Sequence, residues 1–376
     1  MDRVRKAAQA IGRLVRREIG YYAVRPTHLL LFLTYRCTSR CKTCTMWQRK
    51  TEQQQELSLE EWKRFIDMAA PYGIRNVELF GGDALLRKDV LIPLTAYIRA
   101  RGIPEVDLVT NCNLMDKETA ARLAEAGLST YFISVDGVDE AQDHVRGSDK
   151  AFQKVRDAIA FIKASRKNGS PRIALNCTVS ALNVDGFDTV LGFAQEQGVD
   201  AVAFEYAGEF PDGAVRRSAV DGILPRPYFV SQGKSILVGR AQAIALKEKL
   251  RAVKARKNKS ACAVITKNID VLKLDNLVTG EFPNRKCYIC RYMVTVDPFG
   301  NILPCAFFNE YHLGSVRTES FEQIWKNKRH RDFIRAVDAK KVELCRYCIV
   351  GVERNPTVPQ ELTKLYFQAT GRGYDE

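Results

Sequence analysis

The chain has 376 residues, 46% of them hydrophobic and 27% charged, the proportions of an ordinary globular protein. No apolar run reaches the ~20 residues that span a bilayer, and Arg13, Arg16 and Arg17 interrupt the apolar positions where an export signal would need its core, so neither a membrane-spanning nor a secreted protein is expected. The formal net charge of +14 fits an anionic partner or simple solubility, and the absence of a basic stripe interleaved with aromatics argues against nucleic acid.

Residues 3–22 place Val4, Ala7, Ala8, Ile11, Leu14, Val15 and Ile19 at helical spacing among arginines and lysines. This basic amphipathic helix, within an N-terminal segment 1–26, has two readings: peripheral contact with an anionic membrane surface, or packing beneath the following domain. From residue 28 strands and helices alternate. Strands are predicted at 29–35, 76–80, 106–110, 130–135, 172–179 and 201–205, with helices at 59–70, 90–101, 117–126, 152–166 and 187–197. Ser58 with Glu61 forms a capping box, and Gly73, Gly102, Gly127, Gly169 and Gly198 follow helices as stop signals. Six β/α units in series predict an α/β fold with a parallel sheet, doubly wound or curled into a partial barrel over 27–206.

Residues 207–285 open with a proline- and glycine-rich linker or lid, followed by a basic helix at 241–257. Over 286–350 the chain changes character. Cys287 and Cys290 precede a predicted hairpin that turns at 298–301 and ends at Cys305. A helix at 321–328 leads toward Cys345 and Cys348, and a polar tail occupies 351–376.

Functional residues of a parallel sheet collect where strands hand over to loops at their C-terminal ends. Here the first strand runs into Cys37, Cys41 and Cys44. The second ends at Gly81-Gly82-Asp83-Ala84, the third at Asn111, the fourth at Ser134 and Asp136, and Asn176 and Glu205 lie on the next two. Three thiolates are one short of the four that a structural zinc or a four-iron cluster requires. Either a distant ligand completes the set, or the metal stays open for a cofactor. Gly81-Gly82 with Asp83 suits an ammonium group; Asn111, Ser134 and Asp136 suit ribose hydroxyls; Arg146 suits a carboxylate. A small zwitterion carrying a sugar, such as S-adenosylmethionine, satisfies that set. The plainer readings are a tight turn at the glycines, a helix cap at Ser134 and Asp136, and an ion pair between Arg146 and Asp136 or Asp143.

The C-x3-C-x2-C spacing after a first strand, with Phe80 to Leu86 beyond the second, resembles the radical S-adenosylmethionine superfamily over roughly 28–206. The resemblance implies a partial (β/α)6 barrel. It implies a [4Fe-4S] cluster on Cys37, Cys41 and Cys44, whose open iron takes the amino and carboxyl groups of S-adenosylmethionine. Gly81, Gly82, Asp83, Ala84, Asn111, Ser134, Asp136 and Arg146 would complete the cofactor site. Asp83-Ala84 replaces the family's usual Glu-Pro, and Thr43 replaces an aromatic, leaving Met46 or Trp47 to shield the site.

Cys290, Gly300 and Cys305 resemble the SPASM or twitch extension of part of this superfamily, and Cys345-x2-Cys348 follows. That resemblance implies a small C-terminal α+β iron–sulfur domain with one auxiliary [4Fe-4S] cluster. Cys290, Cys305, Cys345 and Cys348 are the preferred ligands, and Cys287 is the alternative. A structural zinc is the rival reading of the same pairs. Cys112, Cys177 and Cys262 read as buried small side chains.

The family chemistry implied is reductive cleavage of S-adenosylmethionine to a 5′-deoxyadenosyl radical that abstracts a substrate hydrogen, with the auxiliary cluster supporting oxidation or bond formation. An external electron donor such as flavodoxin or ferredoxin is implied, in a cytoplasmic setting that the eleven cysteines also favour. A small anionic sugar- or lipid-type substrate fits the charge. The alternatives are a maturase acting on a peptide or protein side chain, against which no added peptide-recognition domain is seen, and a non-enzymatic iron–sulfur electron carrier.

Overall fold

The computed structural model describes residues 12, 25–49, 56–229, 234–255, 261–282, 287–350 and 352. The amphipathic stretch 3–22, apart from Gly12, and the tail beyond Val352 lie outside the described residues.

Among the described residues, ten strands form one sheet. Its centre is β1 (His28–Phe32), β2 (Asn76–Phe80), β3 (Glu105–Thr110), β4 (Thr130–Ser134), β5 (Arg172–Val179) and β6 (Ala201–Tyr206). Each of these pairs in parallel with the next. Leu29, Leu31, Val77, Leu79, Val106, Leu108, Tyr131, Ile133, Ile173 and Leu175 are buried, as a parallel sheet covered by helices demands. The predicted ranges of β2 and β5 match those observed, and the other four central strands agree to within a few residues at their ends.

The intervening helices are α1 (Leu59–Ala69), α2 (Lys88–Ala100), α3 (Lys117–Glu125), α4 (Glu140–Arg146), α5 (Ala151–Ser165) and α6 (Phe187–Glu196). In α1 the Ser58–Glu61 capping box is made in both directions, and Trp62, Phe65, Ile66 and Ala69 form the buried stripe.

Three differences from the sequence expectation matter. A short strand β7 (Ala263–Ile265) adds to β6 in parallel. Three residues carry too little periodicity to announce a strand. Second, the predicted hairpin, β8 (Met293–Val296) and β9 (Asn301–Leu303), extends the main sheet, because β8 pairs in parallel with β1. β10 (Gly314–Ser315) follows at the edge. The sheet therefore carries the C-terminal cysteines on the side of β1 away from β2. Third, the helix expected at 321–328 breaks after Ile324. Lys326 takes φ 66°, and the Asn327 side chain accepts the His330 N–H to start α8 (Lys328–Asp338) afresh, with the basic helix Arg240–Ala255 being α7.

Candidate functional site

The C-terminal ends of β2 to β6 border one cavity of about 270 Å³. Phe80, Val109, Thr110, Ser134, Asn176, Thr178, Glu205 and Tyr206 all reach it, so the sheet must curl around this space. Cys37, Cys41 and Cys44 also border it, on the loop that leaves β1.

That loop is held from three directions. From α4, the carbonyls of Arg146 and Val145 accept the N–H groups of Arg40 (3.1 Å) and Lys42 (2.9 Å). From the loop after β3, Asn111 and Asn113 donate to the Ser39 hydroxyl at 3.0 and 2.9 Å. From the loop after β2, Gly82 donates to Thr34 O (2.9 Å) and Asp83 to Arg36 O (2.8 Å). The glycine pair is needed for this contact. A Cβ on Gly81 would lie 2.4 Å from Thr34 O, and one on Gly82 would lie 2.2 Å from Arg36 O.

Asp83 does not reach the cavity as a free acceptor. It is 1% exposed; its carboxylate accepts from the Thr38 hydroxyl at 2.5 Å and from Leu85 N–H at 3.2 Å. Asp83 and Ala84 are absent from the cavity walls, whereas Gly81, Gly82, Asn111, Ser134, Asp136 and Arg146 are present. The short acid thus fastens the cysteine loop. Burial pushes its carboxyl up, against the pull of the Thr38 bond.

Asp136 and Arg146 form the ion pair anticipated by the plainer reading, at 2.8 Å. Arg146 nonetheless keeps a buried Nε without a hydrogen-bond partner among the described residues, on a side chain that borders the cavity. An anionic acceptor in the cavity would satisfy it. Burial pushes the Asp136 carboxyl up, opposed by Arg146.

The three thiols suit an iron–sulfur cluster. Backbone N–H groups of Ser39 and Met46 lie 3.4 Å from the sulfurs of Cys37 and Cys44. Burial pushes the Cys37 thiol up to about 12 and the Cys44 thiol up to about 11, and raises that of Cys41. Such thiols ionise only beside a strong positive charge, which bound iron provides. Thr43, Met46 and Trp47 all border the cavity, and the Arg40 guanidinium lies 5.3 Å from the Trp47 ring centre.

The five C-terminal cysteines also gather. Cys290 lies within electrostatic reach of Cys287, Cys305 and Cys345; Cys305 and Cys345 each lie within reach of Cys348. Cys290 is 2% exposed and its sulfur lies 3.3 Å from Cys287 O. Among the described residues, no three Cys, His, Asp or Glu side chains gather as ligands of a single ion. Cys112, Cys177 and Cys262 are buried, as expected.

Several cavity residues were given no cofactor role from the sequence. Asn176, Thr178, Glu205 and Tyr206 stand at the strand ends already noted. Tyr228, Phe229 and Ile236 come from the supposed linker, and Ile349 and Val350 follow directly on Cys348. The first four were legible as strand-end positions. The others carry no local signal, because only the tertiary fold brings them here.

A model of the radical SAM superfamily matches residues 31–189, and one of the SPASM iron–sulfur cluster-binding domain matches residues 287–349. The chain is 26% identical over 326 residues to the Fe-coproporphyrin III synthase of Methanosarcina barkeri, covering 80% of this chain and 76% of that one. It is 25% identical over 311 residues to the PqqA peptide cyclase of Xanthomonas campestris, covering 80% and 74%. Its fold is similar to that of SuiB from Streptococcus suis, with TM-score 0.63 and 16% identity over 89% of this chain and 75% of that one. It is also similar to anSMEcpe with bound AdoMet, with TM-score 0.63 and 15% identity over 92% and 96%.

Proposed function

The chain belongs to the radical SAM superfamily and carries a SPASM domain, and from that premise we propose that it abstracts hydrogen from a small anionic sugar- or lipid-type metabolite in the cavity described above. It is an enzyme that uses S-adenosylmethionine and [4Fe-4S] clusters, and it requires a reductant. Flavodoxin or ferredoxin is the proposed donor. Peripheral membrane contact through residues 3–22 is a further proposal; among the described residues, no helix is long and apolar enough to cross a membrane.

When bound, the first cluster and S-adenosylmethionine supply one-electron cleavage of a carbon–sulfur bond and the abstraction of a substrate hydrogen. The chain's own residues set the geometry. Cys37, Cys41 and Cys44 would hold the first cluster, on a loop fixed by Asn111, Asn113, Gly82 and Asp83. The unpartnered Nε of Arg146 would take an acceptor of the cofactor. Tyr206, Tyr228, Phe229, Ile236, Ile349 and Val350 line the cavity and would keep water from a reacting carbon held there. Four of Cys287, Cys290, Cys305, Cys345 and Cys348 would hold the auxiliary cluster that supports oxidation or bond formation.

The observation that carries this reading is that one cavity is bordered both by Cys37, Cys41 and Cys44 and by Ile349 and Val350, which follow Cys348 in the chain. The net charge of +14 supports the anionic class. The runner-up, modification of a peptide or protein side chain, is favoured by the similarity to a PqqA peptide cyclase. Deuterium transfer into 5′-deoxyadenosine decides between them. Deuterated phosphorylated sugars, nucleotide-sugars and lipids are offered beside deuterated peptides. Transfer from an anionic metabolite supports the proposal; transfer from peptides alone overturns it.

A further inference from the structure

Residues 225–229, Pro-Arg-Pro-Tyr-Phe, are hydrogen-bonded to residues that follow Cys44 on one side and Cys305 on the other. On the first side, Thr45, next to Cys44, donates its N–H to Tyr228 O at 2.9 Å. Arg49 donates from Nη2 to Arg226 O at 2.8 Å, and its guanidinium lies 4.6 Å from the Tyr35 ring centre and 5.6 Å from that of Tyr228. On the other side, Arg226 donates its N–H to Phe307 O at 2.8 Å, two residues beyond Cys305. The rings of Tyr228 and Phe229 pack on Phe307 at 5.3 and 5.7 Å. Tyr228 is 6% exposed and borders the cavity. Its hydroxyl lies within electrostatic reach of both Cys44 and Cys305. Pro225 and Pro227 fix two of the backbone angles, so a shift at Phe307 passes along the segment more readily than it is absorbed.

We propose that this strap couples the two sites, with Tyr228 as its positioning residue: a filled auxiliary site holds the strap in place, and the strap holds the turn from Cys44 to Arg49 in the form that binds S-adenosylmethionine. The inference rests on the reading that both thiol groups hold clusters. Coupling between sites is reciprocal in binding free energy, so it is measurable without turnover.

The test is a double-variant cycle on the anaerobically reconstituted full chain. The Kd of S-adenosylmethionine is read from the change it makes in the EPR spectrum of the reduced first cluster. Cys305→Ala and Tyr228→Leu each weaken binding, by a factor within the roughly 5- to 150-fold range usual for coupled sites. The double variant weakens it no further, because both changes cut the same tie. Tyr228→Phe, which keeps the ring and the backbone bonds, binds more tightly than Tyr228→Leu. Multiplying effects in the double variant, a parental Kd in Tyr228→Leu, or lost binding in Tyr228→Phe overturns the proposal. If Tyr228→Leu fails to load the first cluster, Arg49→Gln takes its place in the same cycle, since it removes the guanidinium bond to Arg226 and spares the ring. A parent that binds no S-adenosylmethionine would instead overturn the functional reading itself.

Discussion

The carboxylate of Asp136 and the guanidinium of Arg146 meet at 2.8 Å beneath the three-cysteine loop, with Asp136 1% exposed and the Arg146 carbonyl accepting the N–H of Arg40. One residue thus neutralises a buried charge with its side chain and holds the cluster loop with its backbone. Removing one partner of a buried pair leaves the other charge uncompensated. Asp136→Ala is expected to cost about 3–5 kcal/mol, and Asp136→Ala with Arg146→Leu less than the sum of the two single changes. Denaturant midpoints of the three variants check this.

Gly82→Ala places a methyl 2.2 Å from Arg36 O, where neither backbone yields easily. Overpacking of this kind costs about 1–3 kcal/mol, and here the displaced loop carries Cys37. The variant should lose iron at the first site while keeping the auxiliary iron, as read by iron analysis and EPR. Gly192→Ala is the contrasting case. It lies inside α6, and a Cβ there meets nothing within 4 Å. It should stabilise the protein by roughly 0.5–1 kcal/mol.

The two thiol groups should separate by variant. With both sites loaded the protein should hold about eight irons, two four-iron clusters' worth. Cys305→Ala or Cys348→Ala should remove about half of them and preserve some cofactor cleavage. Cys37→Ala, Cys41→Ala or Cys44→Ala should abolish cleavage. Of Cys287→Ala and Cys290→Ala, one should retain the full iron count and thereby identify the spare thiol.

Asp116 supplies a pH test remote from the thiols. The Lys88 bond at 2.6 Å and the Thr119 N–H at 2.7 Å, which it caps at the start of α3, hold its carboxyl down to about 2. A folded-state value below the unfolded one contributes stability above the ordinary carboxylate range. That contribution is lost as pH falls from about 4 toward 2. Asp116→Asn should keep the cap and lose this pH dependence, whereas Asp116→Ala should cost about 1 kcal/mol near neutrality. Thermal unfolding across pH 2–6 measures both.

The central sheet was legible because its signals are local. Apolar runs such as Leu29 to Leu33, the Ser58–Glu61 box and polar residues at each strand end need only a few neighbours to be read. The first thiol set was legible for the same reason. What stayed hidden depends on distant partners. The pairing of Met293–Val296 with β1 joins residues more than 260 positions apart. The bond from Thr38 to Asp83 spans 45 positions and has no local signal. Tyr228, Ile349 and Val350 reach the cavity only through the closed fold. The helix break at Lys326 arose because Asn327 caps α8 more effectively than it continues the preceding turn.

The most direct test of the central claim is the yield of 5′-deoxyadenosine from the anaerobically reconstituted protein, reduced with dithionite and supplied with S-adenosylmethionine. The parent chain should form it, and the Cys41→Ala variant should form none. A parent loaded with iron at both sites that forms no 5′-deoxyadenosine would contradict the account.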